Sequence, residues 1–273
     1  MAQFTENKGK VRPAAVAGMF YPDQPEVLRE TVRHLLSSAG YQGTKPCAII
    51  APHAGYIYSG KTAAQAYASL VPFREGIRRI VLLGPAHRVY LQGIAVSSAD
   101  FFATPLGLVP LDKAAIESIS ELPRVVVSDE AHAQEHSLEV HLPFLQCIFD
   151  EFTLVPLVVG DASPAQVSEV LEIFRDRPDT FVIISSDLSH YHDYASACLI
   201  DKATTDAIEH LEFELIGSQQ ACGCRPVCGL LKMARDRHMQ VKTLDLCNSG
   251  DTAGSRDRVV GYGAYAFYNQ GQC

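Results

Sequence analysis

Apolar runs of strand length alternate with segments of helical period along almost the whole chain. The segment "DQPEVLRETVRHLLSS" (23–38) places Leu28, Val32, Leu35 and Leu36 on one face of a helix. "CAIIA" (47–51) is a continuous apolar run stopped by Pro52, and the Ala-rich "GKTAAQAYASL" (60–70) after it reads as a helix. "RRIVLLG" (78–84) and "TFVIISS" (180–186) are two further buried strands. Between them, "DASPAQVSEVLEIF" (161–174) offers Ser163 as a helix cap, Pro164 at the first helical position and Gln166 three residues beyond the cap. "VVGYGAYAFY" (259–268) closes the chain with β-rich alternation. Continuous apolar strands separated by helices predict a sheet covered on both faces, hence an α/β fold. Nothing along the chain reads as a repeat, a low-complexity tract or a linker. One domain over residues 1–273 is expected, with 1–10 as a flexible tail.

Composition narrows the field. At 273 residues and 47% apolar, the chain can bury a full core. A net charge of −8 without any Lys/Arg-rich run argues against nucleic acid or an anionic membrane as the main partner. The N-terminus "MAQFTENKGKVRP" lacks the apolar core of a signal peptide, so a cytoplasmic protein is expected. Of the eight cysteines, Cys47, Cys147 and Cys198 sit in apolar runs and read as reduced thiols. The cluster of Cys222, Cys224 and Cys228 has no C-x-x-C pair, so it fits neither a zinc nor an iron–sulfur knuckle. With Pro226 it reads as a loop entering a helix.

The polar residues that follow the strands carry the chemistry. After "CAIIA" come Pro52 and His53; after "RRIVLLG" come Pro85, Ala86 and His87; after "TFVIISS" come Asp187, Leu188, Ser189 and His190. Ligands of open α/β sheets bind at the carboxyl ends of strands. One histidine there is an ordinary loop cap. Three predict a shared crevice if the strands are neighbours. Neutral imidazole binds zinc, copper and iron, and two at strand tips make a rigid half-site.

Two other readings use nearby residues. In "DEAHAQEHSLEVHLPF" (129–144), His132, Glu135 and His136 spell H-x-x-E-H, the inverted zincin signature, which needs one helix carrying both histidines. No ligand glutamate stands out on a following segment, and the strand-end histidines would be unexplained. His136 and His141 are five residues apart, about 140° around a helix, so they cannot share a face; His141 reads as a buried, hydrogen-bonded residue beside Pro143. A Ser-His-Asp hydrolase can be drawn from Ser185, Ser186 and Ser189 with Asp187 and His190, but no G-x-S-x-G elbow accompanies them. Asp187 reads better as a residue that orients a histidine.

Seven segments in order, "RPAAVAGMFYP", "APHAGYIYSG", "LLGPAHRVY", "TPLGLVPLD", "EHSLEVHLPFLQ", "SSDLSHYHDY" and "SGDTAGSRDRVVGYGAYAF", resemble the Memo family, whose bacterial and archaeal members are called AmmeMemoRadiSam system protein B. The resemblance runs from Arg12 to Phe267. It implies a three-layer α/β/α domain similar to class III extradiol dioxygenases, which use non-haem iron. Carried over, His53 and His87 match the two histidine metal ligands, His190 the acid–base histidine and His136 a second pocket histidine, with Asp187 in the shared motif. Thr252 aligns where the dioxygenases have a glutamate ligand and animal Memo proteins a cysteine; Asp251, Asp187 and Cys247 are the other candidates for a third ligand. Tyr56, Tyr58 and Tyr191 are expected to line the pocket. The implied metal is Fe(II) first, with zinc or copper as alternatives. Two activities follow: a dioxygenase-like redox enzyme, or a non-catalytic adaptor binding a peptide or an anionic small molecule in the same crevice. The family name implies association with AMMECR1-like and radical-SAM proteins.

Overall fold

The computed structural model describes residues 9–175 and 177–270. The first part of the chain forms β1 (Val11–Arg12), α1 (Pro25–Ser38), β2 (Ala48–Ala51), α2 (Tyr56–Ala68) and β3 (Arg79–Pro85). The middle holds β4 (Ile94–Val96), β5 (Phe101–Thr104), β6 (Gly107–Pro110), α3 (Lys113–Ser120) and β7 (Val125–Val127). Three short helices follow: α4 (Asp129–Ala133), α5 (His136–Glu139) and α6 (Leu142–Ile148). The last part holds β8 (Thr153–Val159), α7 (Pro164–Arg175), β9 (Thr180–Ser185), β10 (His190–His192) and α8 (Tyr194–Glu209). It ends with α9 (Cys224–Asp236), β11 (Gln240–Asn248) and β12 (Val259–Tyr268).

The main sheet runs β10-β12-β2-β9-β3-β8-β4-β7, with β11 also paired to β12. Its centre, β2, β9, β3 and β8, is parallel. β12 joins antiparallel to β2, and β4 antiparallel to β8, so the flanks are mixed. A small sheet, β1-β5-β6, stands apart. Three of these four, β2, β9 and β3, are the apolar runs of the sequence. Ile49, Ile50, Leu82, Leu83, Leu157, Ile183 and Ile184 are at most 1% exposed, as covering on both faces requires.

Side-chain alternation shows the two covering layers. Cys247 of β11 lies opposite Tyr262 of β12 and meets Thr62 of α2 at 3.1 Å. Tyr265, three residues on and therefore on the other face, bonds Thr205 of α8 at 2.7 Å. α1 packs on α2 on the first side, and α7 and α9 pack together on the second, completing a three-layer α/β/α domain.

Local expectations hold with instructive shifts. Ser163 N–H donates to Gln166 Oε1 at 2.9 Å and Gln166 N–H to Ser163 Oγ at 3.3 Å, a reciprocal cap for α7. α2 begins at Tyr56, four residues before Gly60. Gly60 does not break the helix; its bare Cα lets α1 approach, since a Cβ there would lie 3.0 Å from Leu35. Residues 1–8 of the expected tail lie outside the described residues. Lys10 is held, its backbone N–H on Asp100 at 2.6 Å and its Nζ on Asp129 at 2.5 Å. Among the described residues, no helix is long and apolar enough to cross a membrane.

Candidate metal centre

The sheet order decides where the histidines meet. β2, β9 and β3 are parallel neighbours, with Ala51 beside Ser185 and Leu83 beside Ile184. Their carboxyl ends therefore open on one edge. His53 stands two residues beyond β2, Asp187 two beyond β9 and His87 two beyond β3. His136 enters from the start of α5. These residues, with His190 and Cys222, line a crevice of about 660 Å³ bordered by Phe20, Arg88 and Tyr191.

His53, His87 and His136 each offer one ring nitrogen, and the three lie within 4.8 Å of one another. His53 is buried, His136 half-buried and His87 exposed at the mouth. The ring centroids are 5.2 Å apart for His53 and His87, 5.5 Å for His53 and His136, and 4.7 Å for the stacked His87 and His136.

Hydrogen bonds decide which nitrogens are free. Glu135 accepts from the backbone N–H of His87 at 2.6 Å and faces its Nδ1 at 2.9 Å. Burial alone would raise the Glu135 carboxyl, but hydrogen bonds and charge from His87 outweigh it and hold it near 2. Glu135 is thus a carboxylate that can only accept, so His87 carries a proton on Nδ1, and in the neutral ring the lone pair is on Nε2. His53 Nδ1 lies 2.6 Å from Ser185 Oγ, while its Nε2 lies 3.3 Å from Cys222 Sγ. His136 Nδ1 is buried without a hydrogen-bond partner, 3.5 Å from Glu135. Burial, helped by the neighbouring histidines, pushes His53 well below the usual imidazole range, and burial takes His136 down to about 4. Neutral imidazoles at His53 and His136, the latter with an orphaned nitrogen, together with the His87 ring beside them, are a donor set that fits a borderline divalent metal and leaves coordination positions open.

Asp187 is buried beside this set. Its Oδ1 accepts the backbone N–H of His53 at 2.7 Å, its Oδ2 lies 4.0 Å from His53 Nε2, and burial pushes the carboxyl up to about 6. His190 Nδ1 is 2.8 Å from the Leu188 carbonyl, which can only accept, so Nδ1 carries a proton and in the neutral ring the lone pair is on Nε2. Tyr191 adopts a left-handed backbone (φ 62°) and is stacked by Arg258 at 5.0 Å. Burial raises the Cys222 thiol, whose sulfur accepts the Asp187 N–H at 3.3 Å.

The family model described as "Memo-like protein" matches residues 12–266. The chain belongs to the Memo family. A "MEMO1 family protein" of Thermotoga maritima is 34% identical over 273 residues, covering 92% of this chain and 97% of its own. One of Aquifex aeolicus is 36% identical over 265 residues (93% and 97%), and one of Archaeoglobus fulgidus 35% over 270 (94% and 99%). The crystal structure of uncharacterized protein JW3007 from Escherichia coli K12 covers 93% of this chain and 99% of its own at 11% identity and a TM-score of 0.44, a likeness too loose to carry argument.

In this Memo-family chain the other expected site residues lie elsewhere. Thr252 is exposed and its hydroxyl donates to the Ser249 carbonyl at 3.2 Å. Asp251 accepts from Tyr194 OH at 2.7 Å and from the Asn248 N–H at 3.2 Å, capping a single turn. Cys247 faces Thr62 on α2. The nitrogen beside His53 and His87 comes instead from His136. Tyr56 is buried in α2 and donates to the Val140 carbonyl at 2.7 Å, and Tyr58 follows it on that helix; only Tyr191 of the three tyrosines reaches the crevice.

Both alternative motifs dissolve in three dimensions. α4 ends at Ala133 and α5 starts at His136, so His132 and His136 do not share a helix. His132 Nε2 turns to the Ala95 carbonyl at 3.0 Å, and Glu135, extended between the helices, caps α5 through the Ser137 N–H. Ser185 donates to the Ser137 carbonyl and Ser186 to the Asp187 carbonyl; neither hydroxyl bonds His190. Phe20, Arg88 and Cys222 of the crevice, and Glu135 buried behind it, had no assigned place from the sequence. Glu135 was visible in H-x-x-E-H but with the wrong partner, and Cys222 had only its position ahead of a helix.

Proposed function

We propose that this protein is a metal-dependent, dioxygenase-like enzyme in which His53, His87 and His136 hold one divalent metal, Fe(II) first among the candidates. The observation that carries the reading is the convergence of three imidazole nitrogens, two from strand tips and one from the start of α5. When bound, the metal supplies a Lewis acid toward an oxygen-bearing substrate and, if iron, a redox centre. The chain's own groups supply the rest. Glu135 aligns His87, and Asp187 holds the backbone of His53. His190, with its lone pair on Nε2, takes a proton from a substrate hydroxyl. Phe20 and Tyr191 flank a planar substrate, and Arg88 meets an anionic group at the mouth.

The test is metal analysis of protein made in metal-defined medium. One equivalent is expected in the wild type, with loss in His53→Ala, His87→Ala and His136→Ala and retention in Thr252→Val. Iron-loaded protein should consume oxygen with a catechol, and His190→Ala should keep the metal while losing turnover. Metal content unchanged across the three histidine variants would overturn the reading. The exposed Arg88 beside His87 favours one second reading, an adaptor that takes an anionic peptide. Peptide binding that persists after chelation of all metal would support it.

A further inference from the structure

Behind His53, on the side away from the crevice, lies an unbroken run of hydrogen bonds. His53 Nδ1 is 2.6 Å from Ser185 Oγ. His141 Nε2 is 2.8 Å from the same oxygen, and Tyr67 OH is 2.8 Å from His141 Nδ1. Ser185 Oγ is also 2.6 Å from the Ser137 carbonyl. Tyr67, His141, Ser185, Ser137 and His53 are all at most 2% exposed, so solvent cannot stand in for any of these partners.

Counting protons fixes their places. A carbonyl only accepts, so the single proton of Ser185 points to Ser137. The serine oxygen must then accept from both rings, which puts a proton on His53 Nδ1 and on His141 Nε2. His141 Nδ1 is left with a lone pair and takes the Tyr67 O–H. With both rings neutral, no other arrangement satisfies all four contacts.

We infer that Ser185, His141 and Tyr67 are positioning residues that lock His53 as the Nδ1–H tautomer and so present the Nε2 lone pair to the crevice. The step from lone pair to metal rests on the metal-site reading above; the tautomer does not. His87 is fixed by a carboxylate, Glu135, and His53 by a hydroxyl backed with a neutral ring. Without the serine oxygen, the Nδ1 proton has no acceptor. The proton is then better placed on Nε2, toward Cys222 Sγ at 3.3 Å, where it blocks the donor atom.

Long-range ¹H–¹⁵N correlation spectra of the metal-free, histidine-labelled chain at neutral pH read this directly. His53 should be protonated on Nδ1 and His141 on Nε2. Ser185→Ala should move His53 toward Nε2–H and weaken zinc binding, read by chelator competition, about 10- to 100-fold. Ser185→Thr, which keeps the hydroxyl, should restore both, and Tyr67→Phe should shift the His141 Nδ1 resonance. A wild-type His53 protonated on Nε2 overturns the inference however the variants fold. So does Ser185→Ala with unchanged tautomer and affinity. Expected tautomers in a wild-type chain that binds no metal leave the lock standing and remove the metal reading instead.

Discussion

Glu135 grips a single residue twice: its carboxylate takes the backbone N–H of His87 at 2.6 Å and meets the ring Nδ1 of the same histidine at 2.9 Å. The two contacts fix the ring's orientation as well as its tautomer. Glu135→Gln keeps the shape but removes the carboxylate charge that faces the His87 ring. Metal affinity should fall about 10- to 100-fold while the unfolding transition stays close to wild type. Chelator competition and urea unfolding on the same samples check both halves.

Gly84 sits where β3 passes under α5. A Cβ there would lie 2.6 Å from Ser137 Oγ and 2.9 Å from Leu138 Cδ2. Gly84→Ala must push α5 outward, costing about 1–3 kcal/mol of stability. Because His136 opens that helix, metal binding should weaken too. A variant destabilised to this extent but with intact affinity would show that α5 does not set the position of His136.

Glu139 is fully buried and ion-paired to Arg12. It also accepts from Tyr21 OH at 2.5 Å and from the N–H groups of Ala15 at 2.7 Å and Val16 at 3.0 Å. Arg12 continues to the His132 and Glu135 carbonyls at 3.0 and 2.7 Å, so the pair ties the N-terminal segment to the loop carrying Glu135. Glu139→Gln strands the Arg12 charge and should cost about 3–5 kcal/mol, measured by urea unfolding. The double variant with Arg12→Met should cost less than the sum of the two single changes.

Acid should unfold this protein through its neutral histidines. Burial lowers His141 to about 3 and His132 to about 4, against about 6.5 in an unfolded chain. A lowered histidine contributes stability that is complete above the unfolded value and lost as pH falls below it. Each such group removes about 1.4 kcal/mol per pH unit between pH 6.5 and its folded value. Asp187, raised by burial to about 6, works in the opposite direction below that pH and offsets one of them. His141→Gln should flatten the slope of unfolding free energy against pH by about 1.4 kcal/mol per unit between pH 6 and 4.5. An unaltered slope would mean that His141 is protonated in the native state.

Much of this was legible because buried parallel strands advertise themselves. "CAIIA", "RRIVLLG" and "TFVIISS" are apolar for their whole length, and each hands over to polar chemistry at its tip. Whether the tips meet depends on strand pairing between residues more than a hundred positions apart, which no local pattern records. β8 was hidden by Pro156, a residue that argues against a central strand. Gly60 read as a helix start and turned out to be a contact point inside one. His136 was identified as a pocket residue, but its place beside the other two nitrogens depends on α4 stopping at Ala133. At that break the Glu135 carboxylate takes the Ser137 N–H locally and the His87 N–H from 48 residues away, a long-range contact that a heptad-scale pattern does not reveal.

β9 (from Thr180) lies between β2 (ending at Ala51) and β3 (ending at Pro85), although the chain makes it long after both. Until it arrives, the two earlier strands have no shared neighbour, and His53 and His87 have nothing to hold them at a common distance. A ribosome therefore releases the first two-thirds of this protein without a working pocket. Any shortened product ending before Ser185 would carry both histidines and still be unable to chelate with them.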